Sequence, residues 1–175
     1  MEEPVSIEAA PTDSVRLVEQ LSFERGWTVY FKNNSAPWEV EHFKNVFTIH
    51  TIADFWRFYN NVPNGMLGLY NMFMMANDVL PLWELNGNLF TRGGCWSVVI
   101  RSRGAWLAVM HELAMALVGE IKFSERVLGV CFVPVSENHI ICKLWCTGHN
   151  DEDGQALANV MSQFSISAAR FKGFV

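Results

Sequence analysis

Seven tryptophans are unusual in a chain of 175 residues, and the positions of several suggest contact with a ligand. Core packing rarely needs so many, because indole is large and its N–H requires a hydrogen-bond acceptor. Trp38 follows Pro37 in a polar turn, and Trp83 follows Pro81 in a long loop, both poor places for a core residue. Trp145 lies in an apolar strand, where core packing and ligand contact are about equally consistent with the sequence. We therefore expect Trp38 and Trp83 to contact a ligand.

No pattern in the sequence predicts catalysis. His111-Glu112 begins like the helix of a zinc protease, but Met115 stands where the second histidine ligand is required. The glycines form neither a dinucleotide-binding nor a phosphate-binding loop, and no local motif suggests a Ser/His/Asp arrangement. The five histidines lack the spacing of metal ligands. The sequence therefore favours a binding protein over an enzyme, with no metal and no cofactor.

Composition narrows the kind of ligand and the compartment. Half of the residues are hydrophobic and the formal net charge is −5, which is typical of a globular chain and argues against coating nucleic acid through many phosphates. It does not argue against holding one nucleotide in a pocket. The four cysteines have no CxxC spacing, the acidic N-terminus lacks a secretory signal, and the longest apolar run is too short to span a membrane. We expect a cytoplasmic protein with no membrane contact.

Hydrophobic periodicity and turn residues predict runs of strands with three helices between them. The expected strands cover residues 27–32, 43–50, 69–75, 95–101, 127–135, 139–147 and 168–175. The first expected helix begins at Thr51. The second and third cover about residues 105–118 and 151–164. This order predicts a single-domain α+β fold, an antiparallel sheet with helices on one face. We assign residues 1–16 to a flexible arm and 17–175 to the domain.

Five short motifs follow one another in the order found in one known family. They are Asp54-Phe55-Trp56, Pro81-Leu82-Trp83-Glu84, Arg92-Gly93-Gly94 with Trp96, Leu117-Val118-Gly119-Glu120, and Trp145. Each motif alone is weak, but the ordered set resembles the translation initiation factor 4E family, whose members bind the methylated cap of mRNA. The resemblance implies a curved antiparallel β-sheet with three helices on its convex face. That is the element order predicted above from periodicity.

The resemblance also implies a role for each residue of a cap pocket. Trp38 and Trp83 match the two tryptophans that sandwich the cap base. N7-methylguanine carries a positive charge, so a cation–π attraction adds to the stacking, and unmethylated guanine lacks it. Glu84 would accept two hydrogen bonds from the N1–H and N2–H₂ edge of guanine, a pattern that adenine does not offer. Trp145 would line the wall near the methyl group.

The basic residues with which the family holds the cap phosphates are missing. Segment 135–141 contains no Arg or Lys, and Cys95 replaces a family arginine. Lys143 lies two residues before Trp145 and therefore projects from the same strand face. Three further basic residues are candidates for the phosphates: Arg92, Arg170 and Lys172. The family's C-terminal loop over the cap is also not found, and we expect weakened binding, by roughly 1.5–3 kcal/mol for each lost charge-assisted bond.

The resemblance implies a second surface, on the convex face. Trp56 matches the tryptophan on which a 4G-type scaffold or a 4E-binding protein docks a helix. Four residues would complete this patch: Ile52, His111, Glu112 and Met115. Core packing is the competing interpretation for Ile52 and Met115. We expect a monomer within a heteromeric complex that acts in translation initiation. The alternative is a protein-interaction or repressor-type paralogue with a weakened cap pocket.

Overall fold

The computed structural model describes residues 21–63, 66–101, 106–119, 123–136, 139–165 and 168–174. The predicted arm, residues 1–16, and residues 17–20 lie outside the described residues. One curved antiparallel sheet organises the described chain. Its strands are β1 (Ser22–Asn33), β2 (Lys44–Thr51), β3 (Tyr70–Ala76), β4 (Gly94–Ile100), β5 (Val127–Ser136), β6 (His139–Cys146) and β7 (Arg170–Gly173). Their order in the sheet is β2-β1-β3-β5-β6-β4-β7.

The register divides the side chains of the sheet between two faces, because directly opposed residues of antiparallel strands point the same way. One row across the sheet consists of Val29, Met74, Val130, Leu144 and Trp96, and all five are buried. We call this side the helix face. The neighbouring row points to the opposite side, which we call the cavity face. It consists of Tyr30, Phe73, Cys131, Lys143, Ser97 and Arg170.

Three helices longer than one turn occur among the described residues: α1 (Ile52–Asn61), α2 (Trp106–Val118) and α3 (Asp151–Val160). Thr51 begins α1 with a capping box, in which its hydroxyl accepts from the Asp54 N–H and the Asp54 carboxylate accepts from the Thr51 N–H. Asn150 caps α3 through the N–H of Glu152. A Cβ on Gly154 of α3 would lie 2.7 Å from the Trp96 ring, so this helix packs tightly on the helix face. Within the described part of the chain, no helix is long and apolar enough to cross a membrane.

The prediction of an α+β fold with an antiparallel sheet and three helices is confirmed, and the differences concern element ends. β1 begins at Ser22, five residues before the predicted start, because its polar first half still pairs with β2 through a register shift between Ser22 and Trp27. The predicted third helix continues beyond α3 only as a 3-10 turn (Ser162–Phe164). Three unpredicted short elements are a one-turn helix (Met66–Leu69) and two 3-10 turns (Val40–His42 and Trp83–Leu85).

Candidate functional site

A cavity of about 340 Å³ opens on the cavity face, between the loop that follows β1 and the loop that follows β3. Three indole rings, one carboxylate and one ammonium line it, together with smaller apolar groups and thiols. The lining residues are Trp38, Pro81, Leu82, Trp83, Glu84, Cys95, Cys131, Val133, Lys143, Trp145 and Phe174. The structure therefore brings together all four residues that the sequence assigned to the cap base, and one of the four basic candidates.

A tight turn holds Trp38 at the rim. Asn33 organises the turn, because its side-chain oxygen accepts hydrogen bonds from the N–H and the hydroxyl of Ser35, at 2.9 and 2.6 Å. The indole of Trp38 is 55% exposed, and its ring centroid lies 5.5 Å from that of Phe43 and 5.9 Å from that of Phe73. Trp38 thus packs against two phenylalanine rings and leaves much of its surface open to a ligand.

The opposite rim carries Trp83 and Glu84, on the first two positions of a 3-10 turn (Trp83–Leu85). Asn86 holds this turn against the preceding chain with three hydrogen bonds. Its Oδ1 accepts from the N–H of Leu80 at 3.0 Å, and its Nδ2 donates to the carbonyls of Leu80 at 2.8 Å and Leu82 at 2.7 Å. Glu84 is exposed, so its carboxylate is free of the core and available to a polar ligand edge.

The floor of the cavity is aromatic and contains a thiol. Trp145 is only 5% exposed, and its Nε1 donates to the Sγ of Cys131 at 3.4 Å. Burial raises the pKa of the Cys131 thiol to about 11, although the bond from Trp145 and the charge of Lys143 act in the opposite direction. Phe174 lies 4.9 Å from the Trp145 ring and stacks on Trp83 with centroids 5.8 Å apart and planes within 7°. Trp145 is therefore a core residue that also forms part of the cavity floor, and its contact with a ligand stays a prediction.

Of the four basic residues proposed for the phosphates, one lines the cavity and three do not. Lys143 lines the cavity, and Arg170 and Lys172 lie on the same face of the sheet, because they oppose Ser97 and Cys95 in the register. Arg170 and Lys172 do not reach the lining. Arg92 is exposed in the turn before β4 and does not line the cavity either.

The paired glycines after Arg92 have a structural reason. A Cβ on Gly93 would lie 2.6 Å from the carbonyl oxygen of Cys146, and one on Gly94 would lie 2.4 Å from that of Lys172. Such distances are far inside van der Waals contact, so the backbone of β4 approaches both neighbouring strands here only because a side chain is missing. This motif therefore positions β7 beside β4.

The convex patch is partly assembled by ring contacts. The Trp56 indole is 37% exposed, and its centroid lies 5.7 Å from those of His111 and of Tyr59. His111 Nδ1 lies 3.5 Å from the Glu112 carboxylate. Met115 is also exposed, and Ile52 is half-buried. Trp56, His111 and Glu112 thus form one surface, which Tyr59 extends.

One group of side chains in the described residues is compact enough to share a metal ion. Glu39 precedes the 3-10 turn that contains Glu41 and His42, and both glutamates are exposed. Exposed acidic groups are common in turns, and nothing else at this position indicates an ion.

Sequence reasoning missed three residues of the site: Asn86, Phe174 and Lys32. Lys32 lies beneath Trp38, with its Nζ 5.0 Å from the ring centroid. An Asn before a glycine is an ordinary turn signal, and a lysine in a strand normally points to solvent. The contacts of Asn86 and Lys32 therefore cannot be predicted from their residue types. The aromatic Phe174 was included in the last strand, but its position beside Trp83 depends on how β7 enters the sheet.

Comparison with known proteins agrees with this geometry. The family model for eukaryotic initiation factor 4E matches residues 22–169. Eukaryotic translation initiation factor 4E-1 of Caenorhabditis elegans is 30% identical over 156 residues, which cover 83% of this chain and 71% of that protein. Eukaryotic translation initiation factor 4E of Dictyostelium discoideum is 28% identical, over 61% of this chain and 44% of that protein.

Solved structures show the same fold. Ascaris suum eIF4E-3 in complex with an m7G cap superposes with a TM-score of 0.74 at 22% identity, over 89% of this chain and 92% of that one. C. elegans eIF4E-3 in complex with the 4E-binding protein Mextli and a cap analog gives a TM-score of 0.72 at 21% identity, over 87% and 92% of the two chains. With the match of the family model to most of the sequence, the chain belongs to the eukaryotic initiation factor 4E family.

Proposed function

We propose that this protein binds the 7-methylguanosine cap of mRNA in the cavity between Trp38 and Trp83. The observation that carries the proposal is the convergence of two rim indoles and the exposed Glu84 carboxylate on one cavity. Each indole face that stacks on the base contributes about 1–3 kcal/mol. The carboxylate complements both the guanine edge and the positive charge of the methylated ring. The similar structures from C. elegans and Ascaris suum are complexes with a cap analog and with an m7G cap, which supports the same ligand here.

The phosphates of the cap would extend from the cavity along the strand that carries Lys143. Lys143 is the cation in the lining, and Arg170 and Lys172 lie in adjacent register positions on the same face. We propose that Lys143 contacts the first phosphate and that Arg170 and Lys172 supply a weaker, solvent-screened field for the others. Arg92 is the least favoured candidate because it lies in the exposed turn beyond Gly93.

We propose further that the convex patch around Trp56 binds a 4G-type scaffold or a 4E-binding protein, so that the chain acts in translation initiation in the cytoplasm. Tryptophan is enriched among the residues that dominate binding energy at interfaces, and an exposed indole offers apolar surface to the apolar face of a docked helix. Similar structures that are complexes with Mextli and with 4E-BP support partners of this class. Family membership favours this function over the alternative of a vestigial pocket, and a binding role requires no catalysis.

The test of the cap site is a titration with 7-methyl-GTP and with GTP, followed by tryptophan fluorescence. The cap nucleotide should quench saturably and GTP much less, because only the methylated base adds a cation–π term to stacking. Trp83→Ala should abolish most of the quench. Trp56→Ala removes an indole on the opposite side of the molecule and serves as the matched control. Absence of quenching by either nucleotide at millimolar concentration would refute the proposal.

The convex patch is tested separately with a helical peptide of a 4G-type scaffold. Trp56→Ala should lose the peptide and keep 7-methyl-GTP, whereas Trp83→Ala should show the reverse. If Trp56→Ala retains full affinity for the peptide, the patch is not the docking surface.

A further inference from the structure

Lys32 is a charged residue in an unusual place. Its side chain is 1% exposed, on the cavity face of β1, directly under the loop that carries Trp38. Charged lysines are rarely buried without a partner, because removal of the ammonium from water is costly. A buried ammonium beside a candidate ligand site therefore requires an explanation.

The contacts of Lys32 all involve the Trp38 loop. Its Nζ donates to the carbonyl oxygens of Asn33, at 3.0 Å, and of Ala36. The same Nζ lies over the ring of Trp38, 5.0 Å from its centroid. The ammonium therefore fixes the backbone of the loop and covers one face of the indole, which leaves the other face for a ligand.

The charge is not neutralised locally. In the described ranges no carboxylate forms an ion pair with Lys32, and burial lowers the pKa of its ammonium. Two carbonyl acceptors and the electron-rich indole face favour the protonated form. Trp38 thus already has one cation on its ring before any ligand arrives.

Resting on the proposed function, we infer that Lys32 is a positioning and specificity-determining residue, which holds Trp38 for stacking and reduces the preference for a methylated over an unmethylated guanine. A cationic base on the free face of Trp38 experiences repulsion from the ammonium across the ring, and a neutral base does not. The hydrogen bonds that anchor the Trp38 loop strengthen the binding of both nucleotides equally. The two effects of one side chain are therefore separable: the hydrogen bonds set the affinity, and the charge sets the ratio of affinities.

The experiment compares two variants that both keep a hydrogen-bond donor. Lys32→Gln removes the charge, and Lys32→Arg retains it. The dissociation constants of 7-methyl-GTP and GTP are measured by calorimetry at pH 7 for both variants and the native protein. The ratio of the GTP constant to the 7-methyl-GTP constant should rise on the order of tenfold in Lys32→Gln, for charges separated by the ring and the stacking distance. It should stay within about twofold of native in Lys32→Arg, where the charge is conserved.

The outcomes separate this inference from the proposed function. A ratio that is unchanged in Lys32→Gln, while both affinities fall, leaves Lys32 a purely structural residue and overturns its role in specificity. Binding of neither nucleotide by the native protein overturns the cap-binding proposal and this inference together. Circular dichroism and thermal unfolding check each variant, and Lys32→Met, which keeps the apolar stem, replaces Lys32→Gln with the same expectation if that variant does not fold.

Discussion

Replacement of Asn86 by alanine tests whether the Trp83 loop is prepared for binding before the ligand arrives. The Asn86 amide makes three hydrogen bonds to the backbone of Leu80 and Leu82, between 2.7 and 3.0 Å. A neutral hydrogen bond contributes about 1 kcal/mol net, and water replaces part of it at a half-buried position. We therefore expect the substitution to destabilise the ordered conformation of the loop by about 2 kcal/mol. Binding must then restore this order, which corresponds to an affinity lower by about 30-fold.

The assay is calorimetric titration with 7-methyl-GTP and GTP. Both affinities should fall in parallel in Asn86→Ala, because preorganisation of Trp83 and Glu84 serves any base that enters the cavity. Asn88→Ala is the matched control, since Asn88 lies in the same loop and, among the described residues, forms hydrogen bonds only through its backbone. If Asn86→Ala binds as tightly as Asn88→Ala, the hydrogen bonds do not hold the loop and the reasoning is wrong.

Three further predictions concern single residues. Glu84→Gln should weaken 7-methyl-GTP binding by roughly 10- to 100-fold in calorimetry, because the charge-assisted bonds to the guanine edge are lost. An unchanged affinity would show that Glu84 does not contact the base. Gly94→Ala should lower the thermal midpoint, because its Cβ would meet the Lys172 carbonyl at 2.4 Å, and a midpoint equal to that of Gly148→Ala, where a Cβ meets nothing within 4 Å, would contradict the close approach. Burial raises the pKa of Asp54, but the bonds from His50 and Thr51 outweigh it and leave the pKa lowered. The carboxylate therefore stabilises the fold above its unfolded pKa of about 3.9, and this stabilisation is lost as pH falls through the lower folded pKa. The difference in free energy of unfolding between the native protein and Asp54→Asn, measured with urea, should therefore be larger at pH 6 than near pH 3.

Local signals in the sequence predicted much of the fold. Thr51 predicted the start of α1, and the structure shows that Thr51 caps this helix, with a reciprocal hydrogen bond to the Asp54 carboxylate. Two apolar runs around a short turn predicted β5 and β6, which pair as an antiparallel hairpin. These features depend on residues within a few positions of one another. The order of strands in the sheet does not, and no local pattern predicts that β7 pairs with β4 over Gly94.

The same distinction holds for the site. Trp83 and Glu84 are adjacent in one of the ordered motifs, and the family resemblance then implied Trp38 as the second stacking tryptophan. Their roles remain predictions, although the cavity brings them together. Lys32 could not be found in this way, because its function arises from a contact with Trp38 across a turn and from burial under a loop. Phe174 is likewise defined by its stacking on Trp83, which only the completed sheet creates.

The position of β7 has a consequence for the order in which the molecule acquires its properties during synthesis. Both helices that form the convex patch, α1 and α2, precede β5 in the chain, whereas β7 and Phe174 come last among the described residues. Pairings between distant segments form late, because the loop entropy must be overcome first. The cavity beside Trp83 is therefore completed at the end of folding, when β7 docks beside β4 and Phe174 reaches Trp83. A nascent chain that lacks β7 would present the convex patch around Trp56 before the cavity has its full lining.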